Sequence, residues 1–167
     1  RTMDQALKKE PLLKLNFLSH GTVECADLTE SRRFYEEVLG LEVVQTSKVS
    51  FQMRLNSSTT IVCVQTNGDV SAGIFSHFGF DLETEEEVNA AHEKVAAVKD
   101  DYGIKKLTRP GLQHNVYSFY IVDLDGNWWE VLKNPKGGYG HLFEKGENQT
   151  SWGEQKKDQV EAIIEEG

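Results

Sequence analysis

Cysteine is scarce in this sequence. Cys25 and Cys63 are the only two in 167 residues, too few to staple a small domain with disulfides. Two reduced thiols inside core strands are expected instead. Long apolar runs are also missing. Nothing approaches the roughly 18 residues that a membrane span requires, so no membrane partner is expected. Basic charge is outweighed, with 27 Asp and Glu against 18 Lys and Arg and a net charge of -9. Without a basic cluster, that balance argues against a nucleic-acid-binding surface. The opening residues carry no charged segment leading into an apolar stretch and a small-residue cleavage site. No secretory signal is expected, and a cytoplasmic location is the working expectation. What is present is the composition of a globular protein, with a length that suits one compact domain or two small modules sharing a core.

The pattern along the chain predicts a strand around 17–25 and a helix around 29–39. Asp27 or Thr29 can cap that helix, Phe34 and Val38 form an i, i+4 apolar pair, and Gly40 can end it. Strand-like runs follow near 41–46, 50–55 and 60–65. The second half repeats the order, with a strand near 74–82 and a helix near 85–101. That helix begins with Thr84 and Glu87 at capping-box spacing, and Val88, Ala91, Val95 and Val98 share one face. Strands near 104–108, 116–123 and 127–133 complete it. "LSHG" at 18–21 aligns with "FSHF" at 75–78, and "LNSSTTIVCV" at 55–64 aligns with "DLDGNWWEVL" at 123–132. The chain is therefore read as a duplicated β-α-β-β-β unit of α+β class. An extension over 1–15 precedes a paired-module domain over 16–135, with modules at 16–66 and 74–135. A polar tail over 136–167 follows, helical from about 153. It covers the site or meets a second subunit, with Tyr139 and His141 near the mouth, or else stands as a solvated appendage.

The duplication alters how three polar residues are read. His20 and His77 occupy equivalent places at the start of each module's first strand, where symmetry can bring them together. Asp125-Gly126 suits a two-residue hairpin turn, after which Glu130 shares a strand face with Trp128 and Leu132 while Trp129 and Val131 point the other way. Both faces are apolar, so Glu130 is expected to be at least partly buried. A buried carboxylate needs a cation, a set of donors or a metal ion. The superposition puts Val62 at the position of Glu130, so a carboxylate stands there in one module only.

With these residues in place, the sequence resembles the vicinal-oxygen-chelate superfamily of glyoxalases, bleomycin-resistance proteins, fosfomycin-resistance thiol transferases and extradiol ring-cleaving dioxygenases. The likeness covers roughly 15–135, through the paired modules, the "SRRFYEEVLGLEVV" junction and the "DLDGNWWEV" turn. It implies an open, cup-shaped mixed β-barrel around a divalent metal, and a homodimer. The family's ligand positions fall on His20, His77 and Glu130. A fourth ligand, common in glyoxalases and epimerases, would fall in "TTIVCVQT", where Val62, Cys63 and Gln65 favour a three-ligand site.

Two histidines and a carboxylate are the arrangement of non-haem Fe(II) oxygenases, which makes iron(II) the favoured cofactor. Mn(II), Zn(II) and Ni(II) are also compatible. "QHNVYSFYIVDLDGNWWE" resembles the extradiol signature. There are two departures: the spacer after His114 is about one residue short, and Leu124 stands where proline is usual. The resemblance gives Tyr120 and His114 catalytic roles beside the substrate oxygens, and places Trp128 and Thr22 in the substrate pocket. The substrate would be a small catechol-like aromatic, with O2 as partner. His92 is expected to be a solvated helix-surface histidine. The rivals are a Lewis-acid isomerase, lyase or thiol transferase of the same fold, and a metal-free protein that sequesters a hydrophobic ligand.

Overall fold

A computed structural model describes residues 12–13, 15–56, 58–67, 70–113, 116–134 and 138–145. In chain order these form β1 (His20–Cys25), α1 (Leu28–Glu37), β2 (Glu42–Ser47), β3 (Ser50–Arg54), β4 (Thr60–Gln65), β5 (His77–Leu82), α2 (Glu85–Val98), β6 (Lys106–Leu107), β7 (Gly111–Gln113), β8 (Val116–Val122), β9 (Trp128–Lys133) and α3 (Gly140–Lys145). None of the described helices is long and apolar enough to cross a membrane.

The duplication is visible in the sheets. One runs β1-β4-β3-β2 and the other β5-β9-β8-β6, with β7 added against β8. Each pairs its first strand in parallel with its last, and the remaining pairs are antiparallel. Asp27 caps α1 by accepting from the Thr29 and Glu30 amides, and the Thr84–Glu87 capping box opens α2. Several boundaries differ from expectation, the strands expected from 17 and 74 beginning at His20 and His77. The strand anticipated at 104–108 shrinks to Lys106–Leu107, and β7 is a separate short strand. The helix expected to reach 101 ends at Val98, where a turn leads to Gly103 at φ +62°.

Register and burial show how the modules meet. On the first sheet Gly21, Val23 and Cys25 share a face with Ile61, Cys63, Phe51 and Met53, and this face lies under α1. On the second, Phe78, Phe80, Trp129, Val131, Phe119 and Ile121 share the face under α2. Both faces enter one hydrophobic core. Trp129 is its hub, edge-on to Tyr35 of α1 and stacked between Phe78 and Phe80. Gly21 is small for a reason, since a Cβ there would lie 2.6 Å from the Phe78 ring. Cys25 and Cys63 are free, buried thiols on this same side.

The expected two-residue hairpin at Asp125-Gly126 is instead the five-residue loop 123–127 between β8 and β9. It is wound around a buried carboxylate: Asp123 accepts from the amides of Asp125, Gly126 and Asn127 at 2.9 Å each. Asp125 reaches the other module, accepting from the Ala26 amide at 2.8 Å and the Ser31 hydroxyl at 2.5 Å. Gly126 sits at φ +104°, and a Cβ there would lie 2.6 Å from the Val70 carbonyl oxygen. Conformation and crowding therefore both require glycine. Gly126→Ala is expected to lower stability by roughly 1–3 kcal/mol, measured as a drop in urea midpoint at unchanged m-value.

Candidate metal and substrate site

The open face of the second sheet carries the polar cluster. Alternation along β8 and β9 puts Ser118, Tyr120 and Val122 on the face shared by Trp128, Glu130 and Leu132, and parallel pairing with β5 adds His77 and Gly79. Glu130 is flanked by Tyr120 on one side and Gly79 on the other. It is only 6% exposed. Its partner is His77, whose Nε2 lies 3.3 Å from Glu130 Oε2. His77 Nδ1 makes a short hydrogen bond to the Ile74 carbonyl. A backbone carbonyl on Nδ1 makes that nitrogen a donor and aims Nε2 at Glu130, as a proton donor while the ring is charged and as the lone pair a metal requires once that proton is lost.

The electrostatics follow from this packing. Burial pushes the Glu130 carboxyl up, but the charge on His77 and the nearby polar groups of His77, Ser118 and Tyr120 outweigh it and hold the group below its ordinary range. His77 is raised, first by its bond to Glu130 and against its own desolvation. Tyr120 is pushed well above the usual phenol range by burial and then by the Glu130 charge, so its hydroxyl stays protonated and acts as a donor. Its ring meets His77 edge-on at 5.3 Å and Trp128 at 6.0 Å. The cavity here measures about 190 Å³ and is lined by Ile74, Phe75, His77, Val116, Tyr120, Glu130 and Tyr139. Trp128 borders the same face half-buried, with Lys106 Nζ 5.8 Å from its ring centroid.

His20 is elsewhere. It is exposed on the open face of the first sheet, bonded to the Ser19 hydroxyl at 2.7 Å, with Thr22 beside it on that face. Among the described residues no three His, Cys, Asp or Glu side chains lie close enough to hold one ion. The chain thus brings together His77, Glu130, Tyr120 and Trp128, and separates His20 and Thr22 from them.

Val62 pairs with Thr22 on the open face of the first sheet, at the place Glu130 takes in the second. Gln65 turns its amide to the Ala26 carbonyl. His114 lies outside the described residues. His92 is not the solvated residue expected. It is half-buried and edge-on to Phe119 at 5.2 Å, and desolvation lowers its basicity. It lies on the helix side of the sheet because α2 packs there. Ser118 escapes a reading of the sequence, although its spacing of two from Tyr120 puts it on the site face. Its buried hydroxyl makes no hydrogen bond of ordinary geometry, yet lies close enough to help keep Glu130 charged.

Comparison with known proteins agrees with this geometry. The sequence model of the Glyoxalase/Bleomycin resistance protein/Dioxygenase superfamily matches residues 18–131. A curated relative, the probable trivalent organoarsenical cleaving enzyme of Bacillus subtilis (strain 168), is 26% identical over 113 residues, covering 68% of this chain and 77% of that protein. The structure of a possible glyoxalase from Bacillus cereus is 26% identical and superposes with a TM-score of 0.56, covering 70% of this chain and 97% of that one. Lactoylglutathione lyase from Agrobacterium tumefaciens, 20% identical, superposes with a TM-score of 0.53 over 75% of this chain and 96% of that one.

Proposed function

This chain belongs to the Glyoxalase/Bleomycin resistance protein/Dioxygenase superfamily, and we propose that within it the protein is an iron(II)-dependent extradiol-type dioxygenase acting on a small catechol-like aromatic. The observation that carries this reading is the His77–Glu130–Tyr120 cluster. Two side chains suited to a divalent ion stand beside a phenol that keeps its proton, in a pocket walled by Ile74, Phe75 and Val116, with Trp128 edge-on to the Tyr120 ring. Val62, at the position equivalent to Glu130, leaves a three-ligand set. When bound, the ion supplies Lewis acidity and a one-electron redox couple. His77 and Glu130 would hold it, with His20 as third ligand.

The separation of His20 from the other two is resolved by a second copy of the chain. The open face of the first sheet exposes Val44 (61%), and that of the second exposes Phe75 (82%) beside the pocket. Laid against each other in a twofold homodimer, such faces bury their apolar strips and bring His20 of one copy to the His77–Glu130 pair of the other. Two equivalent sites result.

In such a site the chain's own residues have distinct work. The apolar walls hold a flat ring and exclude water. Tyr120, protonated at neutral pH, donates to a substrate oxygen. Overall, both atoms of O2 enter the product as the ring carbon–carbon bond beside a hydroxyl opens. A trivalent organoarsenical, the substrate type named for the curated relative, is soft and favours thiolates. No cysteine lines this pocket, and Cys25 and Cys63 lie on the helix side of the first sheet.

The test is metal analysis of anaerobically purified protein, followed by oxygen uptake with a panel of catechols after Fe(II) loading. Stoichiometric iron and catechol-dependent uptake, both lost in Glu130→Ala, are the expected results. Tight binding of another divalent metal with no oxygen uptake would reassign the protein to the isomerase and transferase branches. A protein that takes up no metal yet binds aromatics would be a sequestering protein.

A further inference from the structure

The segment after β9 returns to the site. Asn134 donates its amide to the Leu82 carbonyl at 3.1 Å, and its side chain approaches Asp81 at 3.4 Å. Gly138 then lies against Asp81, at φ +66° and with its Cβ position 3.3 Å from Asp81 Oδ2. Asp81 is on the open face of β5, the face of His77 and Gly79. A glycine in that conformation seats the turn tightly enough that the next residue, Tyr139, enters the wall of the His77–Tyr120–Glu130 cavity. The short helix α3 holds it there. The Leu142 amide bonds the Tyr139 carbonyl at 3.0 Å, and the His141 ring bonds the Gly138 carbonyl at 3.1 Å. His141 is thereby tied to the turn, while Tyr139 faces the cavity and remains 39% exposed at its mouth.

The cavity consequently has two phenols and one carboxylate on its polar side, with Ile74, Phe75 and Val116 on its apolar side. Burial and the nearby charges of Glu130 and Asp81 keep the Tyr139 phenol protonated, and each phenol lies within the field of the same carboxylate. Two hydroxyl donors beside one carboxylate match a ligand that presents two adjacent, electron-rich oxygens on a flat apolar body. We infer that Tyr139 is a substrate-binding residue that donates to the second of those oxygens while Tyr120 serves the first, which makes the segment 138–145 part of the site. This inference rests on the proposed vicinal-oxygen chemistry of that site.

The test uses the full chain loaded with Co(II) and kept free of O2 so that nothing turns over, and 4-nitrocatechol as a coloured vicinal diol followed by its absorbance shift. Tyr139→Phe is expected to weaken 4-nitrocatechol binding about 3- to 10-fold, the range of one lost hydrogen bond. Co(II) affinity should stay unchanged. With 4-nitrophenol, which lacks the second oxygen, the difference between Tyr139→Phe and wild type should vanish. Equal 4-nitrocatechol affinity in both proteins overturns the inference and leaves the proposed function standing. Loss of Co(II) binding in Tyr139→Phe also overturns it, by assigning the residue to support of the metal ligands. A Co(II)-loaded wild type that binds no 4-nitrocatechol overturns both the inference and the function it rests on.

Discussion

His20→Ala and Glu130→Ala, each inactive alone, are expected to restore activity when combined in one dimer. Each variant by itself should lose at least about a hundred-fold in activity, since loss of an outer-shell partner alone costs 10- to 100-fold and a direct ligand counts for more. In a hybrid dimer, the His20→Ala copy contributes an intact His77–Glu130 pair and the Glu130→Ala copy an intact His20. One of its two sites is then whole and the other doubly broken. With random pairing half the dimers are hybrids, so recovery should plateau at about a quarter of wild-type activity.

A control pair gives the result its meaning. His77→Ala combined with Glu130→Ala should recover nothing, because both residues sit on the second sheet of the same copy, 3.3 Å apart. Rescue in both combinations would signify trivial exchange or contamination. Rescue in neither, with dimers formed, would show that His20 does not complete the partner's site. The same dimers can be followed by metal stoichiometry, one ion per hybrid against two per wild-type dimer, which does not depend on the substrate chosen.

Much of this arrangement was legible in the sequence because β-strand alternation is a local rule. Once His20 and His77 align between modules, period two dictates that Glu130 shares its face with Trp128 and that Trp129 points away, as the register shows. Helix caps at Asp27 and Thr84 are equally local. What period two cannot give is how two such sheets pack. That depends on which faces are jointly apolar in three dimensions, and on close approaches such as Gly21 against Phe78. The expected pair of open sheets is present, but how far His20 lies from the His77–Glu130 pair depends on that packing. Ser118 was hidden differently, because a serine in a strand has no distinctive pattern. Tyr139 was placed near the mouth only as one of several fates of the tail, because it reaches the cavity through a turn built on Gly138. The role of Asp123 was hidden most deeply, because its donors come from Tyr35, Trp129 and its own loop.

Asp123→Ala is expected to be the most destabilising single substitution outside the apolar core. The carboxylate is fully buried. One oxygen accepts the three loop amides, and the other accepts the Tyr35 hydroxyl at 2.9 Å, Trp129 Nε1 at 2.9 Å and Asn127 Nδ2 at 3.2 Å. Burial pushes its pKa up against these donors, yet every neighbour it touches donates, which is an environment made for an acceptor. Truncation leaves several donors dry, at about 1–3 kcal/mol each where no water replaces the acceptor. A total loss of roughly 3–5 kcal/mol is expected, a large share of the 5–15 kcal/mol that holds a typical domain together. Asp123→Asn keeps the volume but turns an N–H toward other N–H groups, and should recover only part of that loss.

Urea unfolding of the metal-free protein measures this directly. A cost below about 1 kcal/mol for Asp123→Ala would mean that water substitutes for the carboxylate and that the loop is not wound on it. The effect should also reach the site without any contact to it. The loop delivers the chain into β9 at Trp128, so a loosened Asp123 anchor shifts Glu130 against His77. Metal affinity should therefore fall in Asp123→Asn even where most of the protein remains folded, and a Co(II) titration under native conditions separates that loss from global unfolding.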